Sequence, residues 1–256
     1  MSAAWRNARP TLPTAHASVL ALIAALCVAP LSAQPAPPPL PEVRQIVTFL
    51  FQPGRMAEAT AIYESQLRPI YTDLAPLRRF RAYRESESPE PLDLVVVSSY
   101  ADMAGMDAAN DGLRRPHASG RSAFALYGTL AAMTQSHHDQ FVEMLPHVGP
   151  PPDDSAGIVV FEYLRVPVAD QPEFARRLEA DRRAEVTAGV VRWSEAGRLL
   201  VSDGWDFLRI HHLRSLGDWQ RYRLLTRQQV TRSGSSVLVA ARKVIILKQD
   251  GRLSVR

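Results

Sequence analysis

Apolar and polar positions recur with two different periods along this chain of 256 residues, and the changes of period mark the predicted elements. Alternating runs rich in β-branched and aromatic residues predict strands, whereas apolar residues spaced three and four apart predict helices. In the first half the pattern predicts strands at 43–51, 79–84, 92–100 and 138–145, and helices at 56–74, 102–110 and 121–134. Pro69 is expected to kink or break the first helix, because proline removes a backbone donor.

The second half repeats this order of elements. It contains predicted strands at 157–166, 190–195, 199–213 and 237–248, and predicted helices at 172–188 and 215–230. Asp93 and Asp206 lie 113 residues apart (206 − 93), and an alignment of the two halves at this offset superposes the predicted strands around them. The same offset aligns residues 46–48 with 159–161. A repeated unit predicts two similar modules packed on each other. Each module has the order strand-helix-strand-strand-helix-strand, as in a ferredoxin-like split βαβ unit. The first half departs from it in the stretch 112–136, which is longer than the corresponding part of the second half and carries the additional predicted helix.

A strand that ends at Pro53-Gly54, followed by a helix carrying Ile62-Tyr63-Glu64, completes the pattern. With this element order, the chain resembles the dimeric α/β-barrel superfamily, in particular NIPSNAP-like and antibiotic-biosynthesis-monooxygenase-like domains. The resemblance implies an α+β fold in which two tandem ferredoxin-like βαββαβ units pack as an intramolecular dimeric α/β barrel. The predicted organisation is a signal peptide at 1–33, a proline-rich linker at 34–42, a first unit at 43–148 and a second at 155–250.

The N-terminus has the order of a secretory signal. Arg6 and Arg9 precede ten apolar residues from Val19 to Val28, and Leu31-Ser32-Ala33 supplies small residues for cleavage. The apolar run is too short for a permanent bilayer span. We therefore expect a periplasmic or secreted protein with no permanent membrane span after signal cleavage, an uncleaved anchor being the alternative. The single cysteine, Cys27, lies in this segment, so the mature chain would have no thiol for disulfides or catalysis.

The charge of the mature chain argues against nucleic acid as a partner. Loss of Arg6 and Arg9 would lower the formal net charge from +4 to +2, which is 28 basic against 26 acidic residues. So small an excess predicts no basic surface for a polyanion.

The predicted strand 199–213 differs most from its counterpart in the first half. Alternation along a strand would place Trp205, Phe207, Arg209 and His211 on one face, where the first half is nearly all apolar. A buried arginine needs a partner, and Glu162 in the neighbouring strand is the candidate, with Phe49 as its expected counterpart in the first half.

Two interpretations of these residues remain open. In the first, Arg209 and His211 orient a carboxylate, phenolate or carbonyl in a pocket with aromatic walls. The candidate pocket residues are Arg209, His211, Trp205, Phe207, Glu162, Tyr163 and Trp193. In the second, the charged residues form a satisfied buried ion pair without chemistry.

No metal site and no cofactor are predicted. The pairs His137-His138 and His211-His212 each point to opposite faces of a strand, so neither pair alone can supply two ligands to one ion. A site would require one pair to meet the other across the repeats. Some barrel relatives ligate haem, and the resemblance therefore leaves haem, held by one of these histidines or by His117, as the alternative.

Two classes of function fit the sequence. The first is an exported module that binds or assembles around a small aromatic or carboxylate ligand without turnover, with a second copy of the chain as a further candidate partner. The second, implied by the resemblance, is a cofactor-independent monooxygenase or isomerase acting on a small aromatic or carbonyl substrate, with His211 and Arg209 holding an oxyanion.

Overall fold

The computed structural model of the chain describes residues 40–118, 120–150, 157–233 and 239–255. The predicted signal peptide, the linker as far as residue 39 and residues 151–156 of the junction between the halves lie outside the described residues.

Eight strands form one closed antiparallel barrel. They are β1 (Val43–Phe51), β2 (Leu77–Glu87), β3 (Leu94–Tyr100), β4 (Thr134–Met144), β5 (Ile158–Arg165), β6 (Trp193–Val201), β7 (Phe207–Leu213) and β8 (Ala241–Gln249). The first half has the order β4-β1-β3-β2 and the second half has the matching order β8-β5-β7-β6. Pairing of β2 with β8 and of β4 with β6 closes the ring, so no strand edge is left open.

In the described residues, five helices accompany the barrel. They are α1 (Met56–Ile62, continued by a π-helical turn at Tyr63–Leu67 and by Arg68–Asp73), α2 (Met103–Arg114), α3 (Ala123–Ala131), α4 (Gln171–Thr187) and α5 (Leu216–Ser233). None of the helices in the described ranges combines the length and the apolar character that a bilayer crossing requires.

Pro69 widens helix α1 without ending it. The amide of Arg68, just before Pro69, donates to the carbonyl of Tyr63, five residues earlier. A π-helical turn of this kind lets the helix continue where its regular hydrogen bonds are interrupted. The predicted kink is therefore a local widening, and Tyr63 and Tyr71 remain on one continuous helix.

Alternation along the strands divides the apolar side chains between two surroundings. One set, including Ile46, Val97 and Phe161, fills the barrel lumen, as expected of an eight-stranded barrel. The other set points outward and packs under the helices, for example Leu94 in the first half and Val160 in the second. The sheet thus has two buried faces.

Asp93 and Asp206 have the same place in the two halves. The Asp93 carboxylate accepts the amide of Phe51 at 2.8 Å, and the Asp206 carboxylate accepts the amide of Val166 at 2.8 Å. Strands β3 and β7 therefore match at the expected offset of 113.

Strands β1 and β5 match at a different offset. Val47 pairs with Val96 in the first half, whereas Glu162 pairs with Arg209 in the second. The counterpart of Glu162 is consequently Val47 and not the expected Phe49, because β5 is displaced by two residues.

The predicted strands 190–195 and 199–213 have wrong boundaries. Strand β6 starts halfway through the first and continues into the second, and residues 202–206 form the turn to β7. The hydroxyl of Ser202 accepts the amide of Trp205 at 3.0 Å, and Gly204 has a φ of +83°, which glycine adopts without strain. Because this turn interrupts the strand, the alternation that predicted Trp205 on the same face as Arg209 does not apply.

Candidate functional site

A cavity of about 330 Å³ lies in the first half, between the outward face of the sheet and helices α1, α2 and α3. We call it the helix-side cavity. It is lined by Gln45, Val47, Phe49, Tyr63, Tyr71, Val96, Ser98, Asn110, Leu113, Phe124, Tyr127, Leu130, Ala131, Thr134, His137 and Asp139.

The register of the strands sets the floor of the helix-side cavity. Val47 is paired with Val96 on one side and with Asp139 on the other, and Phe49 is paired with His137. Because paired residues point to the same face of a sheet, these side chains form one row beneath the helices. The floor is apolar around Val47, Phe49 and Val96 and polar along β4.

Three tyrosines give the helix-side cavity its polar interior. Tyr63 and Tyr71 come from α1, and Tyr127 comes from α3. The hydroxyls of Tyr71 and Tyr127 are hydrogen-bonded to each other. Burial raises the pKa of all three phenols above the ordinary value, so they stay neutral near pH 7 and can donate hydrogen bonds.

An imidazole and a carboxylate meet at the solvent-facing edge of the helix-side cavity. His137 Nε2 lies 3.6 Å from Asp139 Oδ2, with side-chain exposures of 55% and 40%. Gln45 donates to Asp139 Oδ1 at 2.9 Å, and the His137 ring stacks on Phe49 with centroids 6.2 Å apart. A histidine oriented by a carboxylate beside a cavity can take up and return a proton.

The corresponding space in the second half is filled by a buried ionic cluster of Glu162, Glu185, Arg209, His211 and Tyr222. Arg209 Nη2 donates to both carboxylate oxygens of Glu185 at 2.6 Å. His211 Nε2 lies 3.2 Å from Glu162 Oε2, and the Tyr222 hydroxyl lies 3.1 Å from the same nitrogen. His211 is completely buried.

Attraction outweighs desolvation at Glu162. Burial disfavours its charge, but Arg209, the hydrogen bond with His211 and the nearby Arg242 together lower the pKa of Glu162 to about 2. Burial disfavours the charge of Arg209, but Glu185, Tyr222 and Glu162 together outweigh it and raise the pKa of Arg209 above its ordinary value. Both groups are therefore charged in the folded state at neutral pH.

The structure places the seven predicted pocket residues in separate surroundings. Glu162, Arg209 and His211 belong to the ionic cluster, where Glu162 Oε2 lies 3.7 Å from Arg209 Nε and 3.2 Å from His211 Nε2. Phe207 packs under α4 against Phe174, with ring centroids 4.9 Å apart.

The other three predicted residues, Tyr163, Trp193 and Trp205, lie toward the barrel lumen. Tyr163 and Trp205 approach each other at one mouth, with centroids 6.2 Å apart. Trp193 stacks on His147 with centroids 4.5 Å apart. The aromatic walls and the charged groups of the predicted pocket are thus on opposite faces of the sheet.

Sequence reasoning missed the helix-side cavity. It considered His137 only as a metal ligand and gave no role to Tyr63, Tyr71 or Tyr127. The alternation of His137 and Asp139 was the available signal, since extending the predicted strand 138–145 by one residue places both on one face. The tyrosines carried no such signal, because a phenol on an apolar helix face has the pattern of a core residue.

The histidine pairs do not come together. His138 lies 3.2 Å from Asp203 and His212 lies 3.0 Å from Glu195. Within the described ranges no group of three histidine, cysteine, aspartate or glutamate residues is placed to hold a metal ion.

Haem does not fit the second half. An axial histidine needs a free ring nitrogen that faces an open space. His211 is buried, its Nε2 contacts Glu162 and Tyr222, and its Nδ1 lies 3.9 Å from Glu185. Iron at either nitrogen would have to displace part of the ionic cluster.

No family model and no curated protein matches the chain. Solved structures do match its fold. A Fusobacterium nucleatum protein assigned to the monooxygenases has a TM-score of 0.61 at 9% identity, over 82% of this chain and 93% of that one. An anthrone oxidase-like protein has a TM-score of 0.55 at 11% identity, over 82% and 91%.

A chlorite dismutase mutant from Candidatus Nitrospira defluvii has a TM-score of 0.52 at 9% identity, over 83% of this chain and 92% of that one. At such identities the likeness concerns the fold alone. With the closed barrel and the matching order of strands in both halves, it confirms the α+β prediction. The chain has the dimeric α/β-barrel fold, with both ferredoxin-like units supplied by one polypeptide.

Proposed function

We propose that the chain binds a small planar aromatic compound carrying a hydroxyl or carbonyl group in the helix-side cavity. The observation that carries the proposal is the combination of an apolar floor with the hydroxyls of Tyr63, Tyr71 and Tyr127. A pocket with mostly apolar walls and a few fixed polar groups is the usual form of a small-molecule site.

The position of the polar groups favours one polar end on the ligand. Phe49 and Phe124 supply aromatic walls on which a planar ring can pack edge to face or offset. Neutral phenols donate to a carbonyl or phenolate oxygen, and His137 at the edge can accept from a ligand hydroxyl. A ligand without an oxygen would leave the Tyr127 and Tyr71 pair unchanged and would gain only apolar contact.

A calorimetric titration with 1-naphthol tests this proposal. Substitution Tyr127→Phe removes one hydroxyl, and Val96→Phe fills the floor of the cavity. We expect saturable binding to the unaltered chain, binding weakened about tenfold by Tyr127→Phe, the loss of one hydrogen bond, and no binding to Val96→Phe. Tyr83→Phe is the matched control, because Tyr83 is a buried tyrosine of the lumen and lines no part of this cavity. Equal binding by all variants would overturn the proposal.

Turnover of a bound substrate is the second candidate function, and the His137–Asp139 pair favours it. His137 would remove a proton from an acidic carbon beside a carbonyl, with Asp139 orienting the ring. Oxygenation of such a methylene by dioxygen leaves one oxygen atom as a new carbonyl. The other oxygen atom departs as water with both hydrogens, so no cofactor is consumed. In an isomerase, His137 would return the proton to another carbon.

Oxygen consumption with anthrone as the substrate separates turnover from binding alone. If the chain is a cofactor-independent monooxygenase, His137→Ala lowers the rate at least a hundredfold, the lower end of what general base catalysis contributes. His138→Ala is the matched control, because this adjacent histidine lies on the opposite face of β4. Binding without oxygen uptake would leave the chain as a binding module.

We also propose that the mature chain is exported and begins near Gln34. The proposal is supported by the order of arginines, apolar run and small residues in 1–33. Intact-mass measurement of the protein from the periplasm or medium tests it, and retention of residues before Ala33 would contradict it. Association with a second copy of the chain stays a prediction.

A further inference from the structure

A second cavity, of about 560 Å³, lies at one mouth of the barrel lumen. We call it the lumen-mouth cavity. It lies on the inward face of the sheet, opposite the helix-side cavity, and Phe49 is the one residue that lines both. A ligand here would meet side chains of both halves.

Aromatic and aliphatic side chains make up part of the wall. Trp205 follows β6 and contacts Tyr163 of β5, with centroids 6.2 Å apart. Leu92 from the first half and Ile245 from the second also line the space. This part of the wall suits a flat ring.

The charged side chains of the wall are mostly paired with each other. His138 Nδ1 lies 3.2 Å from Asp203 Oδ2. Lys243 forms an ion pair with Glu90. Lys243 and Glu90 therefore compensate each other's charge, and Asp203 is held by the imidazole of His138.

Arg165 is the exception. Its Nε donates to the carbonyl of Gly204 at 2.7 Å, and its guanidinium carbon lies 5.4 Å from the centre of the Trp205 ring. Within the described part of the chain, no carboxylate lies within ion-pair distance of Arg165. A Cβ on Gly204 would lie 2.8 Å from Arg165 Nη2, so a side chain here would displace the guanidinium, and the φ of +83° itself favours glycine.

Two further polar atoms of the wall lack partners. The Tyr163 hydroxyl and Gln140 Oε1 are buried and make no hydrogen bond within the described residues. Tyr163 is 2% exposed and Gln140 is 7% exposed. Buried polar groups are nearly always satisfied. A ligand oxygen that accepts from the Tyr163 hydroxyl would therefore recover free energy here, whereas Gln140 Oε1 is itself an acceptor and needs a donor.

We propose that the lumen-mouth cavity binds a small aromatic carboxylate, with the carboxylate on Arg165 and the ring against Trp205 and Tyr163. The guanidinium binds a carboxylate through two parallel hydrogen bonds. Its fixed place between Gly204 and Trp205 reduces the entropy lost on binding. The Tyr163 hydroxyl gains an acceptor in the same carboxylate.

Calorimetric titration of the mature chain with benzoate tests the assignment. We expect saturable binding that Arg165→Gln weakens at least tenfold and that Gly204→Ala also weakens by displacing the guanidinium. Arg198→Gln is the matched control, because Arg198 is an exposed arginine on the outward face of β6 and lines neither cavity. Benzamide, the neutral relative of benzoate, is expected to bind at least tenfold more weakly.

The variant Val96→Phe separates the two cavities. It fills the floor of the helix-side cavity, so benzoate affinity should be unchanged if the ligand occupies the lumen mouth. The proposal is overturned if benzoate fails to bind, if folded Arg165→Gln binds it like the unaltered chain, or if Val96→Phe abolishes the binding.

Discussion

Val96 on β3 and Arg209 on β7 occupy the same position in the two halves of the barrel. Val96 is paired with Val47, and Arg209 is paired with Glu162. Both pairs point outward beneath the helices. In the first half the short apolar side chains leave the helix-side cavity open, whereas in the second half the long charged side chains fill the same space. One fold therefore carries a candidate binding site in one half and an ionic core in the other.

Removal of Arg209 is expected to destabilise the chain strongly. Substitution Arg209→Met would leave the buried carboxylates of Glu162 and Glu185 without their shared cation. We expect the free energy of unfolding to fall by roughly 3–5 kcal/mol, the usual effect of breaking a buried pair from one side. Urea denaturation measures it.

Adding Glu185→Gln to Arg209→Met supplies the control. It removes the carboxylate that Arg209 alone holds through two hydrogen bonds, whereas Glu162 keeps its ion pair with Arg242. The double variant should therefore recover part of the loss, giving a coupling energy between the two sites. If Arg209→Met alone changed stability by less than about 1 kcal/mol, the range of an exposed pair, the cluster would not be an ionic core.

The ionic cluster should also make stability depend on pH at the acidic end. The pKa of Glu162 is about 2 in the folded state and near its ordinary value when unfolded, so the unfolded chain binds the proton more tightly. Its contribution, on the order of 3 kcal/mol, is complete above about pH 5 and is lost as the pH falls toward 2. Glu162→Gln should flatten this part of the stability profile.

Two neighbouring effects belong in the interpretation of that profile. The pKa of Glu195 is lowered by Arg44 and His212 despite burial, and burial lowers the pKa of His212 itself. Both lowered pKa values also stabilise the folded state at higher pH. The stability of the Glu162→Gln variant should therefore still fall to some extent as the pH is lowered. Glu173→Gln on the exposed surface of α4 is the matched control, and a profile equally flattened by it would contradict the assignment to Glu162.

Gly197 lies where the two halves join along β4 and β6. It is paired with Met144, and a Cβ at this position would lie 2.6 Å from the carbonyl oxygen of Glu143. Gly197→Ala is therefore expected to lower the free energy of unfolding by about 1–3 kcal/mol, as overpacking does. Gly128 in α3 has nothing within 4 Å of its Cβ position, so Gly128→Ala should instead raise stability by up to about 1 kcal/mol. Thermal unfolding of both variants compares the two, and equal effects would contradict this packing.

The element order and the fold class followed from the sequence because they depend on local periodicity. The predicted helices 102–110 and 215–230 start at Asp102 and Ser215, whose side chains accept backbone amides of the first turn. The matching of Asp93 with Asp206 fixed the correspondence of β3 and β7. These features are set by residues close together in the chain.

The site depended on information that local patterns do not contain. The two-residue displacement of β5 changed the counterpart of Glu162 from Phe49 to Val47, and it follows from the pairing of whole strands. The turn at 202–206 moved Trp205 off the face of Arg209, because Ser202 and Gly204 end the strand in a run that alternates like a longer one. Whether a tyrosine packs in a core or lines a cavity depends on three helices at once, which is why Tyr63, Tyr71 and Tyr127 went unnoticed.

A crystal structure of the mature chain soaked with 1-naphthol tests the central claim most directly. We predict ligand density over Val47 and Val96, with the naphthol oxygen within hydrogen-bond distance of Tyr71 or Tyr127, and no such density in crystals of Val96→Phe. Density confined to another surface, or a helix-side cavity that stays free of naphthol at saturating concentration, would contradict the account.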